Sequence, residues 1–586
     1  MINSEMTDKL FLKIFLLIIL VGSFLRISGL GQVPVSLYWD EAAMLVDAKV
    51  LSATGQDMHG NPWYQLMYPS YGDYKLPVYI WLASLSVKIM GVNEFALRLP
   101  SALAGIGTII SAGYIARLLF KDSRKVNPKI LQLLTMSVVA FSPWSILFSR
   151  TAFEGHLAQF FVSLSIAFLL WIYSSIGQIK KLQIGINLDT LLILFKLITV
   201  AVLGAIATYS YFSVRFVWPV IIIVLQLFFS LKLAANNIRV KDLIKNVIVG
   251  SAIPLLTFFV LLVPMMKSPL YEASNQFRYS TSSILNSQDY ALLSNQLREQ
   301  AGNTYIDRFF FHRHLLAFKE LVINYTDHLS FNYMFVNGDS NLRHGTTSHG
   351  LFLIILLPIF IYGLFKLFLN NKRALLVLIC WWLIALLPAS VPESTPHALR
   401  SLNALVPLSI MIGYGLAQFI QLSLIRSNKY KYRLILYIFS VLALLNFGHF
   451  YNHYHHHYPA QSSRDWQDGY KELALLIDQN KDQAETLWMD PFEGRFYLWL
   501  LAFGSYTPEQ IQEIPKVDYK VTKIDNINIA YFDWESLTTN TYKIIVAGET
   551  ENIKNKLMTI DTEPNWTKEI FSRDGISRFL VVEFGE

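Results

Sequence analysis

The sequence predicts a mainly α-helical, polytopic membrane protein, on three observations. Of its 586 residues, 53% are hydrophobic and 16% charged, against about a quarter charged in soluble domains. Mean hydropathy is +0.38. The apolar residues also gather in runs near the ~20 residues that a helix needs to cross a bilayer.

The spans read off in order are 10–29, 97–119, 130–148, 157–175, 188–208, 214–231, 247–266, 350–369, 374–390, 402–424 and 433–450, about eleven in all. The first lacks a small-residue cleavage site, so it is read as a retained helix and not as a removed signal peptide. Pro77 to Gly91 is apolar but short and carries Lys88; it reads as an interfacial or re-entrant helix inside the first external loop. The loop 267–349 is too long for a simple connector and is expected to be partly helical and functional.

Residues 451–586 lack a spanning run and mix charges freely. They show a helical pattern at Tyr470–Gln479 and strand-like runs at Tyr542–Val546 and Phe579–Phe584. The expected division is a transmembrane domain over 1–450, with external loops 30–96 and 267–349, followed by a small extracytoplasmic α/β domain over 451–586.

Orientation follows from the basic residues. Lys121, Arg124, Lys125 and Lys129 share one loop, and Lys180 and Lys181 a second. Lys232, Arg239, Lys241 and Lys245 mark a third, Lys372 and Arg373 a fourth, and Arg426, Lys429, Lys431 and Arg433 a fifth. With the spans above, all five fall on one side, which is then cytoplasmic. The N-terminus is expected inside and the C-terminal domain outside. The net charge of +7 therefore reflects topology, and a nucleic-acid partner is not indicated. The single cysteine, Cys380, excludes an intrachain disulfide and a cysteine-built metal site.

Carboxylates in such a chain are costly unless they do something. Asp40 and Glu41 follow the first span in Pro34-Val-Ser-Leu-Tyr-Trp-Asp-Glu-Ala. They suit a general base and a partner that positions it; they also suit the N-terminus of a helix, where acids are favoured. Glu154, flanked by Arg150 and His156, joins two spans on the same outer face. Lys75 precedes the interfacial helix and suits either a phosphate or headgroup-level snorkelling. Arg215 lies inside the start of a span, where an arginine requires a partner or a cavity. Arg400 follows His397, and Asp339, Arg343 and His344 stand directly before another span.

The histidines 453, 455, 456 and 457 cannot all face one ion and have no accompanying ligand motif, so a wet turn beside the membrane is expected there. No cofactor is called for; a divalent metal is compatible with the chemistry but has no assigned ligands. External carboxylates and cations on an apolar body suit a lipid-linked phosphate donor. Cations would hold the phosphate, and a carboxylate would activate an acceptor hydroxyl.

Several stretches resemble the GT-C membrane glycosyltransferases, and glycosyltransferase family 39 most. That family includes protein O-mannosyltransferases and the lipid A aminoarabinose transferase. The stretches are Tyr38-Trp-Asp-Glu-Ala, Tyr74-Lys-Leu-Pro-Val-Tyr-Ile-Trp, Gly91-Val-Asn-Glu-Phe-Ala-Leu-Arg-Leu-Pro-Ser-Ala-Leu and Phe148-Ser-Arg-Thr-Ala-Phe-Glu. The segments around Arg215 and His397–Arg400 match more loosely.

The resemblance implies an inverting transferase that takes a sugar from a polyprenyl-phosphate donor on the extracytoplasmic face. The acceptor would be a protein, lipid or glycan, with membrane lipids around the chain. It puts the base on Asp40, with Glu41 beside it and Glu154 as second acid. Lys75, Arg150, Arg215 and Arg400 are expected on the donor phosphate. Tyr74, His156, Asp339, Arg343, His344 and His397 are further pocket candidates. The loop 267–349 is too short for the β-trefoil of fungal and animal mannosyltransferases, which points to a prokaryotic branch. The alternative is a membrane transporter or lipid flippase that uses the same charges as a substrate path.

Overall fold

The computed structural model describes residues 6–176, 188–234, 240–282, 288–392, 394–425, 429–491, 495–517, 519–539 and 542–585. Lys180, Lys181, Arg239 and Arg426, used in the orientation argument, lie outside these residues, as do the side chains of Lys232, Lys241, Lys245 and Lys429. The chain forms two compact units. One comprises Met1–Ser28, Ser101–Ser149 and Phe153–Tyr451; the other comprises Gly29–Pro100, Arg150–Ala152 and Asn452–Glu586.

Helices dominate, as the composition predicts. Among the described residues seven helices are long and apolar enough to cross a membrane, and nine if each of two bent pairs counts as one span. Shorter apolar helices, Val214–Phe229 and Ile354–Asn370, occupy the places of the sixth and eighth predicted spans. Pro77–Met90 is a helix of 14 residues. The stretch 267–349 contains the helices Pro269–Ser282, Gln288–Ala301, Tyr305–Phe310 and Arg313–Asp327.

The third predicted span, 130–148, needs correcting. It is not one straight helix but Pro128–Phe141 followed by Pro143–Ser149, bent by 62°. The cause is Pro143, which has no N–H to give the carbonyl four residues back. That carbonyl, of Val139, instead accepts from Arg26 Nη2 at 3.1 Å. Arg26 also donates to the carbonyl of Ala140 at 3.3 Å and to Ser145 Oγ at 2.8 Å, and it is fully buried. A charged residue in an apolar helix is thus explained by the broken helix beside it. Elsewhere in this unit, a Cβ on Gly415 would stand 2.2 Å from the Ile359 carbonyl, and one on Gly363 2.4 Å from that of Met411. Only glycine lets the helices Leu357–Asn370 and Leu405–Ile425 approach this closely.

The other unit is built around the helix Trp39–Thr54, which ends on Gly55 at φ +74°. The N-cap is Tyr38, with no side-chain cap bond. Asp40 and Glu41 therefore sit in the first turn, at the helix N-terminus where acids are favoured, and neither is the N-cap. Strands β1 (Tyr68–Ser70) and β2 (Asp73–Lys75) form an antiparallel hairpin. Its two turn residues, Tyr71 and Gly72, have φ +37° and +92°, the signs that a tight hairpin turn requires.

The C-terminal segment of this unit carries a six-stranded sheet. Its strands are β3 (Thr486–Met489), β4 (Lys523–Ile524), β5 (Ile527–Ile529), β6 (Ile544–Glu549), β7 (Trp566–Phe571) and β8 (Ser577–Phe584). The order is β4-β5-β3-β6-β8-β7. β3 runs parallel to β5 and β6, and the other pairs are antiparallel. The predicted helix appears as Tyr470–Asn480, and the two predicted strands as β6 and β8.

Candidate active site

Asp40 is the centre of the best-formed constellation. Its carboxylate is 22% exposed and forms an ion pair with Lys75, which is 7% exposed. The Tyr71 hydroxyl donates to the same oxygen, Oδ1. Lys75 Nζ also donates to Asp73 Oδ2 at 3.1 Å.

The hairpin explains this convergence. Asp73 and Lys75, two residues apart on β2, project to the same side. The left-handed backbone at Tyr71 is unusual for an aromatic residue, and it accompanies a hydroxyl delivered to Asp40. Burial, and then the nearby Asp40 charge, hold the Tyr71 phenol well above its ordinary range, so it remains a donor. The Arg495 guanidinium lies 4.6 Å from the ring centres of both Trp39 and Tyr71. Chemically, this is a fixed carboxylate with an ammonium and a phenol on one oxygen, bordered by a second cation.

Glu41, next in sequence, faces a different environment. It is fully buried. Its Oε2 accepts from Arg98 Nη2 at 2.7 Å, and its Oε1 accepts from Arg98 Nε at 3.1 Å and from the Ala152 amide at 2.6 Å. Arg98 also donates to the carbonyls of Leu30, Pro34 and Ser36. Arg150 is buried too, donating to the carbonyls of Gly29 at 2.9 Å and Val33 at 3.3 Å. These residues hold the 29–36 segment that leads into the Asp40 helix. Tyr74, between Asp73 and Lys75, is half-buried and meets Tyr519 edge-on at 6.4 Å.

The remaining candidates belong to the other unit. Glu154 is the first residue of the helix Glu154–Ile176. His156 is fully buried, with its ring nitrogens 2.9 Å from Ser101 Oγ and 3.5 Å from Ser149 Oγ. Arg215 donates to the Tyr271 hydroxyl at 2.8 Å and to Asn275 Oδ1 at 2.9 Å. Asp339, His344 and His397 come together: one ligand atom from each lies within 4.8 Å of the others. Burial first, then neighbouring groups that disfavour its charged form (His344, Arg400, His328 and Arg343), hold His397 well below the ordinary imidazole range. The histidine run, which falls in the same unit as Asp40, forms a π-helical turn, His453–His457.

Two site residues escape the sequence reading. Tyr71 carries a faint signal, an aromatic followed by glycine at a hairpin turn. Arg495 carries none, because it lies 455 positions from Asp40 in a segment without a motif.

No protein-family model and no curated relative matches the chain. Solved structures do match. ArnT from Cupriavidus metallidurans bound to undecaprenyl phosphate aligns with a TM-score of 0.54 at 12% identity, over 98% of each chain. The same protein in the apo state gives 0.50 at 13% identity, over 98% of this chain and 97% of that one. The archaeal oligosaccharyltransferase AglB from Archaeoglobus fulgidus, in complex with an inhibitory peptide and a dolichol-phosphate, gives 0.52 at 12% identity. That match covers 94% of this chain and 70% of that one. The fold is therefore the GT-C fold of membrane glycosyltransferases, and at these identities the likeness is one of fold.

Proposed function

We propose that the chain is an integral-membrane, inverting glycosyltransferase acting on the extracytoplasmic face. It moves a sugar from a polyprenyl-phosphate-linked donor to an acceptor hydroxyl. The observation that carries the reading is the partly exposed Asp40 carboxylate, fixed by Lys75 and Tyr71. The undecaprenyl phosphate and dolichol-phosphate bound by the two structural neighbours support the donor class.

Asp40 takes the proton from the acceptor hydroxyl as that oxygen bonds to the anomeric carbon. The bond from this carbon to the phosphate oxygen breaks on the opposite face. Polyprenyl phosphate departs as an anion and needs a cation more than an acid. Lys75, between Asp40 and Asp73, supplies that cation. When a phosphate binds the ammonium, Asp40 loses its strongest partner and becomes the better base, so donor binding prepares the acceptor step. Glu41 and Arg150 have a positioning role through the 29–36 segment. Glu154, Arg215 and Arg400 carry the roles that the resemblance implies only as proposals, each open to separate substitution.

The test uses purified full-length protein and a panel of polyprenyl-phosphate sugars. Asp40→Asn lowers transfer by about 10²–10⁴-fold, the usual weight of a general base, while the protein still elutes as a folded species. Full activity in that variant removes Asp40 from the mechanism. Mass spectrometry of glycans and glycolipids from a deletion strain and its parent identifies sugar and acceptor.

A further inference from the structure

We propose that Asp339, His344 and His397 bind one divalent transition-metal ion of the zinc class. Asp339 is 3% exposed and His397 9%. Imidazole nitrogens with a carboxylate oxygen are a donor set that selects zinc-like ions over magnesium or calcium, which take oxygen ligands. Tetrahedral binding at ~2.1 Å sets ligand atoms ~3.4 Å apart. The observed 4.8 Å limit leaves a contraction that side-chain rotation can supply.

The three groups do not satisfy one another by hydrogen bonding. His344 Nδ1 and Asp339 Oδ2 are 3.5 Å apart, at the outer limit for such a bond. His397 Nδ1 is enclosed and has no hydrogen-bond partner, a condition that buried polar atoms rarely show. The supporting contacts are nevertheless in place. Asp339 Oδ1 accepts from the Asn341 amide at 2.9 Å and Oδ2 from the Ala398 amide at 2.7 Å. The His397 amide donates to His328 Nε2 at 2.9 Å. His344 stacks on His397 with ring centres 4.6 Å apart and packs against Phe148 and Phe153.

A cavity of about 10 Å³ borders Asp339 and His344, close to the smallest volume that holds one water. The nearby Arg343 and Arg400 charges oppose any cation, so the ion is held by ligand bonds and not by a negative field. It ties the end of the 338–350 segment to the segment entering the helix Leu405–Ile425.

This site is independent of the glycosyltransferase reading, and so is its test. Full-length protein in detergent is stripped with a chelator, then titrated with Zn²⁺ and separately with Mg²⁺. Bound metal is measured by elemental analysis and unfolding by intrinsic fluorescence. One Zn²⁺ per chain and a Zn²⁺-specific rise in unfolding temperature are expected. His344→Phe, which keeps the ring packing, and His397→Phe each weaken binding by about 100-fold or more, beyond the loss of an outer-shell partner. A double variant, His455→Ala with His456→Ala, leaves binding unchanged. Three outcomes overturn the proposal: clearly substoichiometric Zn²⁺ on the wild-type chain, binding indifferent to both phenylalanine variants, or binding lost with the 455/456 pair. The wild-type titration decides the matter even if the variants fail to fold.

Discussion

Glu41→Gln separates a residue that builds the site from one that reacts in it. Both Glu41 and Arg98 are completely buried. Glu41 holds two Arg98 nitrogens and one backbone amide, at 2.6–3.1 Å. Glutamine keeps the shape but removes the charge, and it turns an NH₂ toward a guanidinium or an amide, donor against donor. Removing one partner of a buried ion pair costs about 3–5 kcal/mol. In a unit of roughly 200 residues, where 1 kcal/mol moves the midpoint by about 2–4 °C, the unfolding temperature falls by about 6–20 °C. The assay is unfolding of detergent-solubilised protein followed by tryptophan fluorescence, with transferase activity measured below both transitions. Asp40→Asn is the contrast, because its site is 22% exposed and Lys75 keeps Asp73, so its midpoint moves little while activity collapses. If Glu41→Gln unfolds at the wild-type temperature and loses activity, the positioning argument is wrong and Glu41 belongs to the chemistry.

Two further outcomes are expected. Lys75→Met removes one charge-assisted contact worth about 1.5–3 kcal/mol, so affinity for polyprenyl phosphate falls by about 10–100-fold in a direct binding measurement; unchanged affinity assigns the phosphate to another cation. Asp490, pushed up to about 6 by burial and then by Glu549, binds its proton more tightly folded than unfolded. Its contribution is thus present below about pH 4 and lost as pH rises through about 6. The unfolding temperature of wild type relative to Asp490→Asn should fall across that window, and a constant difference refutes the assignment.

Much of this molecule is readable in its sequence because the signals are local. Apolar runs mark the helices, since lipid imposes length and composition on each helix alone. Asp40 and Lys75 each stand in a short local motif, although only the fold pairs them, and Tyr470–Asn480, β6 and β8 follow short-range pattern. The strands β3, β4, β5 and β7 did not emerge. They are short or have irregular alternation, and Lys523–Ile524 is only two residues long, too few for periodicity to show.

Site residues became ambiguous wherever two environments fit one motif. Asp40 and Glu41 are adjacent and chemically alike, yet one is partly exposed on Lys75 and the other is sealed on Arg98. On a helix, neighbours point about 100° apart, so only packing decides which acid meets solvent. Arg150 and His156 are similar: each looks available beside Glu154, and each is buried among partners of its own.

The sequence by itself determined the membrane class, the placement of most helices and the candidate acids and cations, because hydrophobic length and residue chemistry act over a few turns of chain. Tertiary structure decided which charges are consumed internally: Arg26 on the helix broken at Pro143, Arg98 on Glu41, Arg150 on the carbonyls before the Asp40 helix. It also brought Arg495 to Trp39 and Tyr71, and His397 to Asp339 and His344. A buried charge must find its partner wherever the fold supplies one, and that partner leaves no mark in the residues beside it.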